Sequence, residues 1–130
     1  MPKPKPKPES TRRQRWLPYV RQIADTIGLK DWAIKLPDEL PAGDAIASVY
    51  PCAGRKIGTL RLSEDFLDYP PEKQRQVLVH ELIHCHAATY IRAVEIRTDK
   101  DPVLTLLMEY MTDGLADGFA HLLPLPPRVK

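Results

Sequence analysis

Two histidines and a glutamate stand at a spacing that suits metal chemistry. The residues are His80, Glu81 and His84, in the pattern His-Glu-x-x-His. In a helix, residues four apart lie on one face, so both imidazoles can reach the same ion. On a zinc site of this kind the histidines bind the metal, and the glutamate is the general base toward the water that the metal activates. The sequence therefore predicts His80 and His84 as metal ligands and Glu81 as the base.

The segment around this motif is apolar on nearly every side, which favours a buried helix. Residues 77–88 read Val-Leu-Val-His-Glu-Leu-Ile-His-Cys-His-Ala-Ala, and a helix that is apolar all round is a buried helix. Buried histidines and a buried glutamate lose hydration unless they find partners. Coordination of one ion would provide partners for all three groups, so the surroundings favour a metal site over structural histidines. Cys85 is expected in the core.

A third ligand is expected further along the chain, because catalytic zinc usually takes three protein ligands. Glu109, Asp113 and Asp117 are spaced four apart and so share one face of a helix. The rest of that helix is rich in Leu, Met and Phe, which favours an inward acidic row over a solvated stripe. Glu109 is the first candidate ligand, and Asp113 and His121 are the alternatives.

Small residues accompany the acidic row. Ala116 and Ala120 fall on the same face and would let this helix approach the metal helix closely. Gly114 and Gly118 repeat at the same spacing nearby, and we expect them to serve close packing as well.

Composition limits the classes of protein to consider. The chain has 130 residues and a mass of 14.8 kDa, which suits a single domain with one core. Its formal charge is +2, but residues 1–15 hold six Lys and Arg against one Glu, so the remainder carries −3. The folded part is therefore not a basic surface, and nucleic acid is not an expected partner.

The two ends of the chain differ in composition from the middle. Pro and Lys alternate over residues 2–8, which predicts an extended, disordered tail at residues 1–11; residues 12–124 form the domain, and residues 125–130 form a Pro-rich C-terminal tail. No apolar run is long enough to span a membrane, and no apolar segment follows the basic N-terminus as in a secretory signal. Two cysteines are too few for a disulfide framework. We therefore expect a cytoplasmic protein without a membrane partner.

Local patterns predict helices around a small sheet. Ser10 or Thr11 suits the start of a first helix that runs to about Ile27, and Gly28 suits its C-terminal cap. The sheet is expected to be three-stranded and mainly antiparallel, which gives an α+β fold. The remaining predicted elements are strands at Trp32–Leu36, Ala45–Tyr50 and Lys56–Leu62, a helical turn at Glu64–Leu67, the metal helix from Pro70 to about Val94, and a last helix capped by Asp101 that runs from Pro102 to about Leu123.

These motifs resemble a family. His-Glu-x-x-His followed by a helix with Glu-x-x-x-Asp, here Glu109 to Asp113, is similar to the gluzincin zinc metallopeptidases. Over residues 12–124 the chain looks like the minimal single-domain members, the phage-encoded and ImmA/IrrE-like metallopeptidases. The resemblance implies a minimal zincin-like fold with Zn²⁺ held by His80, His84 and Glu109. It also implies that Asp113 hydrogen-bonds a ligand histidine, as outer-shell carboxylates do.

The last helix fits the pattern of that family in two registers. In one register Glu109 is the ligand and Asp113 its companion, and in the other Asp113 is the ligand and Asp117 the companion. The choice between Glu109 and Asp113 therefore stays open at this point.

The expected function is a zinc metalloendopeptidase that hydrolyses a peptide or protein substrate. The alternative is a non-catalytic, zinc-stabilised module that binds a protein. We expect a substrate peptide to add to the strand at Lys56–Leu62 by β-augmentation. The candidates for a second electrophile are Tyr90, Tyr110, His86 and His121.

Overall fold

The computed structural model describes residues 11–97 and 102–129, without the side chains of residues 89–97 and 104. Within these residues the protein has four helices and one three-stranded sheet, so the predicted α+β class is confirmed. None of the described helices is long and apolar enough to cross a membrane. In chain order, the elements are α1 (Leu17–Thr26), β1 (Ala33–Lys35), β2 (Ala47–Cys52), β3 (Ile57–Leu62), α2 (Glu64–Leu67), α3 (Pro71–Arg97) and α4 (Pro102–Phe119).

Local capping signals set the limits of the first helix. Thr11 and Gln14 cap each other, since the Gln14 amide donates to Thr11 Oγ1 and the Thr11 amide donates to Gln14 Oε1. A 3-10 turn at Gln14–Trp16 precedes α1, which ends before Gly28 at a φ of 92°. Glycine adopts this left-handed conformation without steric strain. The predicted helix is therefore present, whereas Ser10 lies outside the described residues.

The sheet is mixed, with strand order β1-β3-β2. β2 and β3 form the predicted antiparallel hairpin, but β1 pairs with β3 in parallel, so the expectation of a mainly antiparallel sheet is only partly right. β3 is the central strand, since β2 pairs along its whole length and β1 pairs with residues 57–59. The prediction that a peptide adds along the whole of Lys56–Leu62 is therefore wrong, because residues 57–59 already have a strand on each side and only an edge strand can accept another.

β2 is longer at its C-terminal end than the sequence predicts. The predicted strand ends at Tyr50, whereas in the structure Pro51 also lies within the strand, opposite Gly58. Proline lacks an amide hydrogen and is tolerated in a sheet on an edge strand, which is the position of β2.

The helix α3, which carries His80, Glu81 and His84, packs against the sheet through one apolar face. Leu78, Leu82 and Cys85 recur on that face and are fully or almost fully buried. A Cβ atom at Gly58 in the central strand would lie 3.1 Å from Cys85 Sγ and 3.3 Å from Ile34 Cδ1. The close contact between α3 and β3 therefore depends on the absence of a side chain at Gly58.

The C-terminal end of the last helix is fixed to the rest of the fold. Pro102 begins α4 as predicted, while Asp101, its predicted cap, lies outside the described residues. A 3-10 turn at Ala120–Leu122 follows α4. The Arg75 guanidinium then donates to the Leu123 carbonyl at 2.8 Å, and the Tyr19 hydroxyl donates to the Pro124 carbonyl at 2.7 Å. These bonds hold the end of α4 against α1 and α3.

Substitution of Gly58 tests the contact between sheet and metal helix. We expect Gly58→Ala to lower the free energy of unfolding by about 1–3 kcal/mol, because the new methyl group overpacks the site. In a Cys85→Ala background the same change should be less destabilising, since the sulfur that it would meet is gone. Chemical denaturation of the four proteins in this double-mutant cycle measures the coupling.

Gly54→Ala is the matched control for this experiment, since a Cβ there meets no atom within 4 Å. Equal destabilisation by Gly58→Ala in both backgrounds would show that the contact with Cys85 is not the reason for the glycine.

Candidate metal centre

Helical periodicity separates the polar and apolar groups of α3. The face that carries Leu78 and Leu82 lies on the sheet, so His80 and His84 fall on the opposite flank, towards α4. Glu81 lies between these two faces, next to the edge strand β2. Both imidazoles are about four-fifths buried, with side-chain exposures of 21% and 20%. The fold therefore brings the predicted residues to one half-buried location.

Three ligand atoms converge between α3 and α4. His84 Nε2 lies 3.2 Å from His80 Nε2 and 3.2 Å from Glu109 Oε1, and Glu109 Oε2 lies 3.5 Å from His80 Nε2. Ligand atoms on a tetrahedral zinc ion with bonds of about 2.0–2.1 Å lie roughly 3.3–3.4 Å apart. The spacing of His80, His84 and Glu109 therefore fits the three protein ligands of one such ion. Among the residues that the structure describes, no other His, Cys, Asp or Glu cluster has this property.

Asp113 occupies a different place from Glu109. Its Oδ1 atom accepts a hydrogen bond from His80 Nδ1 at 2.8 Å. This bond fixes the tautomer, because a proton on Nδ1 leaves a lone pair on Nε2. That lone pair faces the Glu109 carboxylate, and a cation between them would be attracted to both. The geometry therefore supports the register in which Glu109 is the ligand and Asp113 orients His80.

Burial lowers the pKa of His84 below its usual value, and the neighbouring His80 lowers it further. The carboxylates of Glu109 and Asp113 act in the opposite direction, but the net shift is downward. A lowered pKa keeps the imidazole neutral near pH 7, the form in which its lone pair can bind a metal.

Glu81 lies in a cleft beside these ligands. The cleft has a volume of about 770 Å³, and β2, His80, Glu81, His84 and Glu109 contribute to its walls. Burial raises the pKa of Glu81 to about 7, and the charge of Glu109 adds to the rise. A hydrogen bond from the backbone of Val49 has the opposite, smaller effect. A carboxyl group in this state can exchange a proton near neutral pH.

The contribution of β2 was missed by sequence reasoning. The Val49 backbone is bonded to Glu81, so the edge of β2 forms one wall of the cleft. Pro51 would be a signal for an edge position only if the strand were known to continue through it, and the structure is what shows this.

Other sequence-predicted residues lie away from the cleft. Asp117 Oδ1 accepts a hydrogen bond from Gln76 Nε2 at 2.6 Å, so it joins the two helices without contacting a histidine. His86 Nε2 lies 2.5 Å from the Ile27 carbonyl, on another side of α3. His121 and Tyr110 are exposed and do not line the cleft, while the side chain of Tyr90 lies outside the described residues.

Metal retention distinguishes the two acidic candidates. Glu109→Ala should weaken zinc binding more than Asp113→Ala, because the first removes a ligand and the second only a partner that orients a ligand. Loss of such an orienting partner typically lowers metal affinity about 10–100-fold. His80→Ala and His84→Ala should bind least. Competition with a fluorescent chelator measures each affinity.

Asp117→Ala is the control in this series, since Asp117 lies on the same helix row but contacts Gln76. A larger loss from Asp113→Ala than from Glu109→Ala would move the ligand role to Asp113.

Stability against pH tests the environment of Glu81 in the metal-free protein. With its folded pKa raised to about 7 from 4.5, Glu81 binds its proton more tightly in the folded state than in the unfolded state. Its contribution to stability is therefore full below about pH 4.5 and is lost as pH rises through about 7. Glu81→Gln cannot ionise, so its stability relative to wild type should rise across this window and level off above it. Chelator-treated samples in urea titrations at several pH values provide the measurement, and a constant difference would contradict the assigned environment.

The chain was compared with protein families, with curated proteins and with solved structures. No family model matches the chain, and neither the search of curated proteins nor the search of solved structures found a match. The case for a function therefore stands on the residues of the site and their arrangement.

Proposed function

We propose that the protein is a zinc-dependent metallopeptidase with a minimal zincin-like fold. The observation that carries the proposal is the convergence of His80, His84 and Glu109 at tetrahedral spacing, with the Glu81 carboxyl group in the same cleft. A metal that only stabilises a fold needs ligands but no base. The combination of an open cleft, a two-histidine and one-carboxylate ligand set and a neighbouring carboxyl group is typical of catalytic zinc sites.

Each residue of the site would have a separate role in peptide hydrolysis. Zinc, when bound, would polarise the scissile carbonyl and lower the pKa of a water molecule. Glu81, which lines the same cleft as the ligands, would remove a proton from that water and return it to the leaving amine. Asp113 holds the His80 ring, and the Val49 backbone holds the Glu81 carboxyl group.

A substrate peptide would lie along β2 in an extended conformation. β2 is the edge strand that forms a wall of the cleft, and residues 47–54 line it together with the metal-binding side chains. An extended peptide on this edge would place its backbone carbonyl groups beside the ligand cluster. Cys52 and Cys85 are both free thiols, which suits a reducing, cytoplasmic location.

Glu81→Gln tests the proposal, because glutamine keeps the shape of the side chain but cannot accept the proton. We expect zinc content and fold to be retained while hydrolysis of a peptide library falls about 10²–10⁴-fold. Glu72→Gln, at an exposed position in the first turn of the same helix, is the control and should stay active.

Two results would contradict the proposal. Equal, chelator-insensitive cleavage by wild type and Glu81→Gln would exclude the mechanism. Zinc binding by the wild type without any cleavage would favour the alternative function, a zinc-stabilised module that binds a protein.

A further inference from the structure

An exposed apolar surface extends along α4, from the side away from α3 to the groove in which Leu115 and Phe119 face Ile83 of α3. We call this surface the α4 outer face. Each of its large side chains is between 37% and 68% exposed. The face consists of Val103, Leu106, Leu107, Tyr110, Met111, Gly114, Leu115, Gly118 and Phe119.

Little of the first half of α4 is covered by the rest of the described chain. Of the described side chains at positions 102–111, none is buried, and only Met108 is half-buried. In the second half Thr112 and Ala116 are buried, as is Ala120 just after the helix, whereas in the first half Glu109 contacts His80 and His84 of α3. Glu109 thus lies on a helical segment whose described side chains, apart from Met108, are exposed.

Two glycines on the outer face have no packing role within the described chain. A Cβ atom at Gly114 or at Gly118 would meet nothing within 4 Å, so the expectation that they pack within this domain is wrong. Glycine inside a helix is unfavourable relative to alanine. It does permit the close approach of another backbone, and the four-residue spacing puts both glycines on one side.

The size of the face is close to what a stable dimer requires. Seven large side chains that each expose on the order of 100 Å² approach the roughly 800 Å² that each partner buries in a specific complex. Monomeric proteins rarely leave apolar patches of more than about 300–600 Å² in contact with water. The outer face is therefore large enough to be an interface.

The composition of the face favours a second copy of this chain. No residue of the outer face is charged, α4 contains no Lys or Arg, and its acids lie on the flank towards the metal centre. Interfaces between identical subunits are more apolar than those of transient complexes. Two copies can also meet around a two-fold axis without opposing like charges.

We propose that the protein forms a two-fold symmetric homodimer in which the α4 outer faces of two copies pack against each other near Gly114 and Gly118. The contact supports the half of α4 that carries Glu109. Dimerisation therefore also strengthens metal retention, because whatever binds the ordered state stabilises it.

Sedimentation velocity of the full-length, zinc-supplemented protein between about 1 and 200 µM tests the proposal. We expect a dimer with a dissociation constant below about 10 µM, a typical range for a specific interface of this size. Leu107→Lys should weaken it at least tenfold, while Leu40→Lys, at a 60% exposed position in the loop before β2, should not. A monomer at every concentration would overturn the proposal, and so would a dimer that Leu107→Lys leaves intact.

Replacing both glycines by alanine is a second test, because it should raise the stability of the monomer and lower the affinity of the dimer. Gly114→Ala with Gly118→Ala favours the helix, so the thermal stability of the protein at concentrations where it is monomeric should rise. If the backbones approach each other here, the same variant should weaken the dimer. An increase in both stability and dimer affinity would show that the glycines do not form the contact.

Metal retention gives an independent readout. At a fixed chelator-to-protein ratio, the Leu107→Lys protein should lose zinc faster than wild type, although its ligands and cleft are unchanged. Equal loss from both proteins at concentrations where the wild type is dimeric would refute the link between dimerisation and the support of Glu109.

Discussion

Burial of α3 against the sheet is the constraint on which the rest of the structure depends. Leu78, Leu82 and Cys85 pack on the sheet, which directs Glu81 towards the edge of β2 and turns His80 and His84 towards α4, where they are largely buried. A buried carboxyl or imidazole group lowers stability unless it is partnered. The fold supplies partners from two other elements, the edge of β2 for Glu81 and the acidic row of α4 for the histidines. The sheet and the last helix are thus as necessary to the site as the helix that carries the motif.

Features that depend on local sequence could be predicted, and features that depend on long-range pairing could not. Thr11, Gly28 and Ser63 mark helix ends through contacts with residues nearby in the chain. The four-residue spacing from Glu109 to Asp113 likewise placed both acids on the side facing the histidines. The order of the strands is different, because the parallel pairing of β1 with β3 joins segments that share no local signal.

The same distinction explains why the choice between Glu109 and Asp113 needed coordinates. Both fit the spacing, and one turn of helix separates them. The position of α4 along α3 decides which carboxylate lies beside the Nε2 atoms of the two histidines and which lies beside Nδ1 of His80. That position is fixed at the other end of the helix, where Arg75 binds the Leu123 carbonyl. Contacts remote from the candidate metal centre thereby determine which carboxylate faces the two Nε2 atoms.

The edge of β2 has a consequence for the behaviour of the protein at high concentration. The Val49 backbone bonds to Glu81, so this residue points its hydrogen-bonding groups away from β3, and Pro51, two residues on, points the same way. Proline has no amide hydrogen and the amide of Val49 is engaged, so this stretch of the edge offers carbonyl acceptors but no free donors. Strand pairing between two such edges would leave acceptors facing acceptors. The stretch from Val49 to Pro51 is therefore a poor template for pairing with a second copy of itself, while a single peptide with its own amides can still bind there.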